Sequence, residues 1–276
     1  MFNNIIITLE KIKTIICVAL CMVFLFSVDS DGDGYSDELE LELETNPNSK
    51  EDRYYYGSWP YNPMKDKILG INIPIQCPGN ISCECQTNED CVNNNCKPTV
   101  HGEYFCYPKI GDIFPHFIAV DQHGESVDIY DFAMQGKIIA IEFGTAWCAP
   151  CQHLSNWLSS GNEKIKSLRM WKKEYDIIRE KVDKGEVVFI TILYQGKLKS
   201  EAASYETVSD WHNQFPHDKM PNLADEYADI HRWIKPTGFP CVNLLDENMR
   251  LLTTSTRGFT EAFDILSGLR PIPTAD

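Results

Sequence analysis

The chain has 276 residues, 43% of them hydrophobic, and a formal net charge of -15. That length holds one domain of ordinary size plus something smaller, and the hydrophobic share suffices for a packed core. So acidic a composition argues against a nucleic-acid partner, because phosphate binding needs a basic face.

Residues 1–28 read as a targeting segment. Lys11 and Lys13 give a positive start, and Ile15 to Val28 is an apolar run without a charge. Its length suits a signal peptide and is short for a membrane span. Ser27 is small enough to precede a cleavage point, but Leu25 fits that recognition poorly. Cleaved signal peptide and retained membrane anchor therefore both stay open. "VALC" (Val18 to Cys21) has some likeness to a lipoprotein box, yet Leu20 is too large before the cysteine. Each alternative implies export, to a periplasm, the outer face of a membrane or a cell surface.

Residues 29–52 hold ten Asp and Glu against one Lys. Within them "DSDGDGYSDELE" has the spacing of the twelve-residue calcium loop. Asp29, Asp31 and Asp33 take positions one, three and five, and Gly34 makes the sharp turn. Tyr35 offers its backbone oxygen, Asp37 stands at nine, and Glu40 at twelve can bind through both oxygens. Calcium takes about six to eight oxygens and would neutralise carboxylates that otherwise repel. The plain alternative is a solvated acidic tail. The continuation "LELETNPNSKED", with Thr45-Asn46-Pro47 after the loop, resembles the bacterial thrombospondin-type-3-like calcium repeats of envelope and surface proteins. That resemblance implies a structural calcium ion. A single full copy reads as a module fragment rather than an array.

Residues 53–76, opening "RYYYGSWPYNPMKD", read as an irregular linker or lid. Residues 77–108 contain Cys77, Cys83, Cys85, Cys91, Cys96 and Cys106 among Asn, Pro and Gly. Such a stretch cannot build a core alone, so three disulfides are expected to staple it, in a pairing the sequence does not choose. No Cys-x-x-Cys occurs in it, which disfavours zinc. It reads as a structural or docking module.

From residue 109 to 276 the composition is that of an α/β domain. "FIAVDQHGESVDI" reads as a hairpin around Asp121-Gln122-His123-Gly124. "KIIAIEF" (Lys137 to Phe143) and "EVVFITILY" are continuous apolar runs, as expected of buried central strands. Helices are expected from near Cys148 to Gly161, over "EKIKSLRMWKKEYDIIREKV", over 200–214, over 222–234, and after Gly258. "CVNLLD" and "RLLTTST" read as strands on either side of the Glu247-Asn248 turn. Alternating strands and helices imply a sheet covered on both faces.

Between the first central strand and its helix stands "GTAWCAPCQHL". A thiolate is the reactive form of cysteine, and partial positive charge at a helix start stabilises it. Two intervening residues bring Cys151 close enough to resolve a mixed disulfide formed on Cys148. Trp147 can pack beside the pair, and Pro150 is tolerated in a first helical turn. A metal knuckle and an inert structural bridge are the rival readings, with His153 and Cys241 as the nearest further ligands by motif logic. Cys241 otherwise reads as a small core residue, and His153 as a surface one.

The segment "KIGDIFPHFIAVDQHGESVDIYDFAMQGKIIAIEFGTAWCAPC" resembles the thioredoxin-like redoxins of bacterial envelopes, the TlpA-like thiol–disulfide oxidoreductases. The likeness runs from about residue 110 to 270 and lies in Gly-Asp-x-x-Pro-x-Phe, Asp-x-x-Gly, Gly-Lys before the central strand, and Trp-Cys-x-x-Cys. It implies a central mixed sheet flanked by helices, with Cys148 as attacking nucleophile and Cys151 as resolving thiol of a redox-active disulfide. It also implies a cis Pro240 opposite the pair, with backbone at residue 239 open to a partner peptide, and a buried Glu142 that takes the resolving cysteine's proton. The partners implied are a protein thiol or disulfide substrate and an electron-donor redox protein, with no organic cofactor. Phe239 departs from the small or β-branched residue usual before that proline. A peroxidase of related fold needs Pro-x-x-x-Thr-x-x-Cys, and "EFGTAWC" has no such proline. The function expected is an exported oxidoreductase that reduces disulfides. The alternative is a calcium-organised surface protein whose redoxin domain is catalytically weak.

Overall fold

A computed structural model describes residues 28–273 apart from 34, 51 and 100. The stretch to residue 27 that reads as a targeting segment, and Gly34 of the acidic loop, lie outside the described residues. Among the described residues no helix is long and apolar enough to cross a membrane. The chain divides between Tyr54 and Tyr55 into two compact units.

Among the described residues the first unit contains the acidic loop and one short helix, α1 (Asp37–Glu42). Ser36 caps it, its Oγ accepting the Leu39 N–H at 3.3 Å. Asp37, Glu38 and Glu40 sit in the first turn, where the positive end of the helix favours acids.

The second unit opens on the stretch read as a linker, and this stretch is packed rather than loose. Tyr55 and Trp59 are buried in the core. Tyr55 donates to Asp131 Oδ2 at 2.6 Å, Lys65 Nζ meets Asp131 Oδ1 at 2.9 Å, and Trp59 Nε1 donates to Asp121 Oδ2 at 2.7 Å. Buried Asp131 would be costly without these donors. The strap therefore supplies both aromatic volume and the partners of a buried carboxylate, which composition alone does not reveal. Gly70 lets it lie close, since a Cβ there would fall 1.6 Å from the Tyr130 hydroxyl.

The cysteine-rich stretch forms three disulfides, Cys77–Cys83, Cys85–Cys96 and Cys91–Cys106. It carries one two-stranded ribbon, β1 (Cys96–Pro98) against β2 (Tyr104–Cys106). The expected hairpin follows as β3 (Ile118–Val120) and β4 (Ser126–Asp128). Asp121 shapes its turn by accepting from the His123 and Glu125 N–H groups at 2.8 and 3.0 Å.

The remaining elements are β5 (Ile138–Gly144), α2 (Ala149–Ser160), α3 (Asp176–Lys184), β6 (Val187–Leu193), α4 (Tyr205–Gln214), β7 (Asn222–Ala224), α5 (Asp229–Ile234), β8 (Cys241–Leu245) and α6 (Thr260–Leu266). The central sheet is mixed, with strand order β7-β6-β5-β8. β5 runs parallel to β6, from Ile138 opposite Val187 to Gly144 opposite Leu193, and antiparallel to β8. Successive side chains of a strand point to opposite faces. Ile139, Ile141 and Phe143 enter one core with Phe132, Ile192 and Trp233, while Ala140 enters another with Leu154, Phe189 and Phe263. Both faces of β5 are thus covered, which is why its sequence is continuously apolar apart from Glu142.

Three expectations need correction. Residues 163–182 are not one helix: single 3-10 turns at 163–167 and 173–175 precede α3. Extended backbone at Lys172 turns the chain so that Trp171 packs on Trp157, Tyr175 and Phe259, with ring centroids 4.8, 5.6 and 6.1 Å away. Aromatic burial outweighs helix propensity there. Residues 222–224 are an edge strand beside Thr191–Leu193, and the helix begins only at Asp229. Residues 250–256 form no strand. The Asn243 side chain takes the Ser255 N–H at 2.6 Å and donates to the Ser255 carbonyl at 2.9 Å, replacing the ladder a strand would use.

Candidate functional site

β5 ends at Gly144 and α2 begins at Ala149, with Cys148 in the cap position between them. Cys148 Sγ accepts the Cys151 N–H at 3.2 Å, and the two cysteines form a disulfide with Cα atoms 5.3 Å apart. Pro150 lies in the first turn, where its missing N–H costs no intrahelical bond. α2 has twelve residues and ends at Gly161 in the left-handed region, so its dipole is well formed and its positive end falls at the sulfurs.

The pair is covered. Cys148 is 3% exposed and Cys151 is fully buried, so an incoming peptide has to displace something to reach sulfur. The cover is aromatic. Trp147 and Phe239 meet edge to face at 6.3 Å, Phe239 lies 5.6 Å from Tyr194, and Tyr194 stacks on His231 at 3.7 Å. Burial, then Lys235 and Arg232, holds the His231 imidazole down at about 4. Trp147 is fixed by its indole N–H, which donates to Gln195 Oε1 at 2.9 Å, and Lys199 sits over its ring at 4.6 Å. Gln152 donates to the Ala146 carbonyl at 2.7 Å and closes the loop before the pair. The Phe239–Pro240 peptide is cis, and Phe239 brings it beside the cysteine loop through Trp147.

Glu142 is fully buried, and burial raises its carboxyl to about 8 against a partial offset from Thr191. Thr191, its neighbour across the parallel pair, donates to Oε2 at 3.2 Å, while Oε1 has no hydrogen-bond partner. Glu142 and Gly144 share one face of β5, and a Cβ on Gly144 would lie 3.5 Å from Cys151 Sγ. The carboxyl therefore stands on the cysteine side of the sheet, one step along the strand. Cys241 opens β8 opposite Phe143 and is fully buried. Its thiol donates to the Ser255 carbonyl at 3.0 Å, and burial, with the nearby Glu142, pushes it up to about 12. It is neutral at any physiological pH and not disulfide-bonded. His153 is half-buried on α2, and burial, then Lys164, lowers its imidazole.

In the first unit the carboxylates of Asp29, Asp31 and Asp33 have oxygens within 4.8 Å of one another. Each also braces the loop: Asp29 accepts from Gly32 N at 2.8 Å, Asp31 from Asp33 N at 3.1 Å, and Asp33 from Tyr35 N at 2.8 Å. Glu40 is buried with both carboxylate oxygens unpartnered, and one oxygen of Asp31 is likewise unpartnered. Burial, then Asp31, Asp33, Asp37 and Asp29, raises the Glu40 carboxyl. A divalent cation fits that donor set, because it would satisfy oxygens that no protein donor reaches. Asp37 behaves differently, since its two oxygens hold the Ser30 N–H and hydroxyl at 2.8 and 2.7 Å.

Several neighbours of the pair were not singled out in the sequence. Thr191 sits inside an apolar strand and meets Glu142 only through the sheet register. Gln195, Lys199 and Tyr194 come from a loop and His231 from α5, none within a motif, and long-range packing alone brings them to Trp147 and Phe239.

Residues 29–50 match the family described as the bacterial TSP3 repeat. Among curated proteins none matches the sequence. Solved structures similar to the chain include the pneumococcal exposed lipoprotein thioredoxin of Streptococcus pneumoniae, at 21% identity and TM-score 0.38, over 56% of this chain and 97% of that one. The thioredoxin domain of a thiol-disulfide oxidoreductase of Bacteroides vulgatus is similar at 18% identity and TM-score 0.38, over 59% and 98%. A secreted disulfide oxidoreductase of Mycobacterium tuberculosis is similar at 16% identity and TM-score 0.37, over 55% and 95%. At such scores the functional argument has to rest on the site itself.

Proposed function

We propose that the chain is an exported thiol–disulfide oxidoreductase of thioredoxin-like fold that reduces disulfides in protein substrates. The observation that carries the reading is the Cys148–Cys151 disulfide at the start of α2, with Cys148 Sγ accepting the Cys151 N–H. In the reduced protein the same N–H and the helix dipole favour the Cys148 thiolate. That thiolate attacks one sulfur of a substrate disulfide; the other sulfur leaves as thiolate and takes a proton from water. Cys151 passes its proton to ionised Glu142 and attacks Cys148 Sγ, releasing the second substrate thiolate and closing the Cys148–Cys151 bond. Two electrons reach the substrate, and an exported dithiol redox protein returns them. Pro240 and the backbone of Phe239 dock the substrate chain, and Trp147 shields the pair. No organic cofactor is needed for these steps.

Insulin reduction tests it. The parent should turn over and Cys148→Ser should fall to the uncatalysed rate; equal activity of the two sinks the proposal. Direction is read from the reduction potential, where a value near about -120 mV would mark an oxidant and overturn the reductant assignment.

The same reading includes one structural calcium in the first unit, held by Asp29, Asp31, Asp33, the Tyr35 backbone oxygen and both oxygens of Glu40, with Asp37 acting through the loop. The ion would neutralise the loop and tie it to α1. Titration calorimetry should show calcium binding that Glu40→Gln weakens; identical isotherms would remove the site. The bacterial TSP3 match favours a second reading, a calcium-organised surface protein with a weak redoxin domain. An inactive parent that still binds calcium would select it.

A further inference from the structure

The buried Glu142 carboxyl has a donor on one oxygen only. Thr191 donates to Oε2 at 3.2 Å, and Oε1 has no partner. The helix that covers this face of the sheet carries a second oxygen in the same condition. Ser155 of α2 is 1% exposed, and its hydroxyl has no partner either. It does not even bond back to a carbonyl of its own helix, as mid-helix serines commonly do. A buried polar atom without a partner is costly, so two of them on packed elements call for a common explanation.

Two fixed points set α2 against β5. At one end Gly144 meets Cys151, since a Cβ on Gly144 would lie 3.5 Å from Cys151 Sγ. At the other, Ala140 shares a core with Leu154 and Leu158, so α2 runs back along the strand. Glu142 lies midway between Gly144 and Ala140 on the same face of β5. Ser155 lies between Cys151 and Leu158 on the buried face of α2. A strand advances about 3.3 Å per residue and a helix about 1.5 Å, so two steps along β5 match four along α2, roughly 6–7 Å each. Ser155 therefore stands level with Glu142. The other groups around this carboxyl are Thr191 from β6, Cys151 from α2 and Cys241 from β8, whose thiol is turned to the Ser255 carbonyl. Burial and Thr191, not a neighbouring charge, set its titration.

We infer that Ser155 is a positioning residue for the resolving step: its hydroxyl, through one buried water, holds Glu142 Oε1 on the side of Cys151. The inference rests on the proposed role of Glu142 as proton acceptor. Two facing oxygens with no direct bond between them are what a buried water bridges, donating to the carboxylate and bonding the hydroxyl. Glu142 is then held at both oxygens, by Thr191 from the sheet and by Ser155 from the helix. A donor on Oε1 also favours the ionised carboxyl, the form that accepts the proton. The chemistry is unchanged: Cys151 gives its proton to Glu142 and its thiolate closes the bond to Cys148.

Stopped-flow kinetics test it. The full chain is reduced with dithiothreitol, desalted, and mixed with dithiobis-nitrobenzoate, an aromatic disulfide whose thiolates are coloured. The first thiolate leaves when Cys148 attacks, the second when Cys151 resolves. In Ser155→Ala the pH limb of the second release should move up by about one pH unit, while the first release keeps its parental profile. General damage to the fold would disturb both releases, so the first is an internal control. Adding Ser155→Ala to Glu142→Gln should leave the second release as it is in the Gln variant. A limb that stays in place or moves down in Ser155→Ala overturns the inference and leaves Ser155 a small core residue. Further slowing in the double variant overturns it too, because Ser155 would then act without Glu142. A parent whose second release has no pH limb removes Glu142 as the base, and Ser155 with it. A parent with no second release removes the oxidoreductase reading beneath both.

Discussion

The protein holds disulfides in two settings. In the residue 77–108 module, Cys77–Cys83, Cys85–Cys96 and Cys91–Cys106 close loops in a stretch with one short ribbon and little core. Cys148 and Cys151 instead sit at the tip of a twelve-residue helix, with a buried carboxyl on the same side of the sheet and an aromatic cover above. The bond is chemically the same. What differs is the setting: only the second bond has surroundings that would stabilise a released thiolate, and a disulfide without them acts as a staple.

The largest effect should come from graded reduction followed by alkylation and mass spectrometry. Cys148 and Cys151 should label at dithiothreitol levels that leave the module cysteines protected. Simultaneous labelling of all eight would erase the distinction between the two settings. Next, replacing Cys91 and Cys106 together by Ser should lower unfolding stability by about 2–5 kcal/mol in a denaturant titration, while insulin reduction persists. Loss of insulin reduction in a protein that still folds would show that the module takes part in the chemistry.

Glu142 sharpens the comparison through pH. Its carboxyl titrates near 8 in the native protein and near 4.5 in the unfolded chain. Between those values the native state holds a proton that the unfolded state has lost. Stability therefore falls as pH rises across the window, by about 1.4 kcal/mol per pH unit at the steepest, and Glu142→Gln should flatten that slope. If the carboxylate is the base, as proposed, the rate of resolving the mixed disulfide should rise through pH 8 in the parent, and this limb should vanish in the Gln variant. An unchanged limb would dismiss Glu142 from proton transfer. The smallest effect is expected from Thr191→Val. Removing the hydroxyl that donates to Glu142 should move the same limb to higher pH, and a shift to lower pH would contradict the assigned hydrogen bond.

Much of this could be read along the chain. A continuous apolar run announced β5, Gly161 marked the end of α2, and Asp121 with Gly124 marked the β3–β4 turn, because each signal is local: burial, a helix stop, a turn side chain. The position of Cys148 and Cys151 between a strand and a helix was legible for the same reason. The stretch at 163–182 misled, since its helical spacing is real but Trp171 has aromatic partners far away in sequence. The tyrosine- and proline-rich strap misled in the opposite sense, as nothing local says that Asp131 is buried and wants Tyr55 and Lys65.

By itself the sequence determined which residue types stand at spacings suited to chemistry: two cysteines two residues apart, an acid inside a hydrophobic strand, and carboxylates at calcium-loop spacing. These follow from side-chain type and short separations, which the covalent chain sets directly. Only the tertiary structure decided which disulfides pair in the module, that Thr191 meets Glu142, and that Phe239 packs with Trp147 beside the cysteine pair and carries Tyr194 and His231 behind it. Those depend on contacts between segments tens of residues apart. Their geometry is chosen by how the whole core closes around the sheet, and no local pattern encodes it.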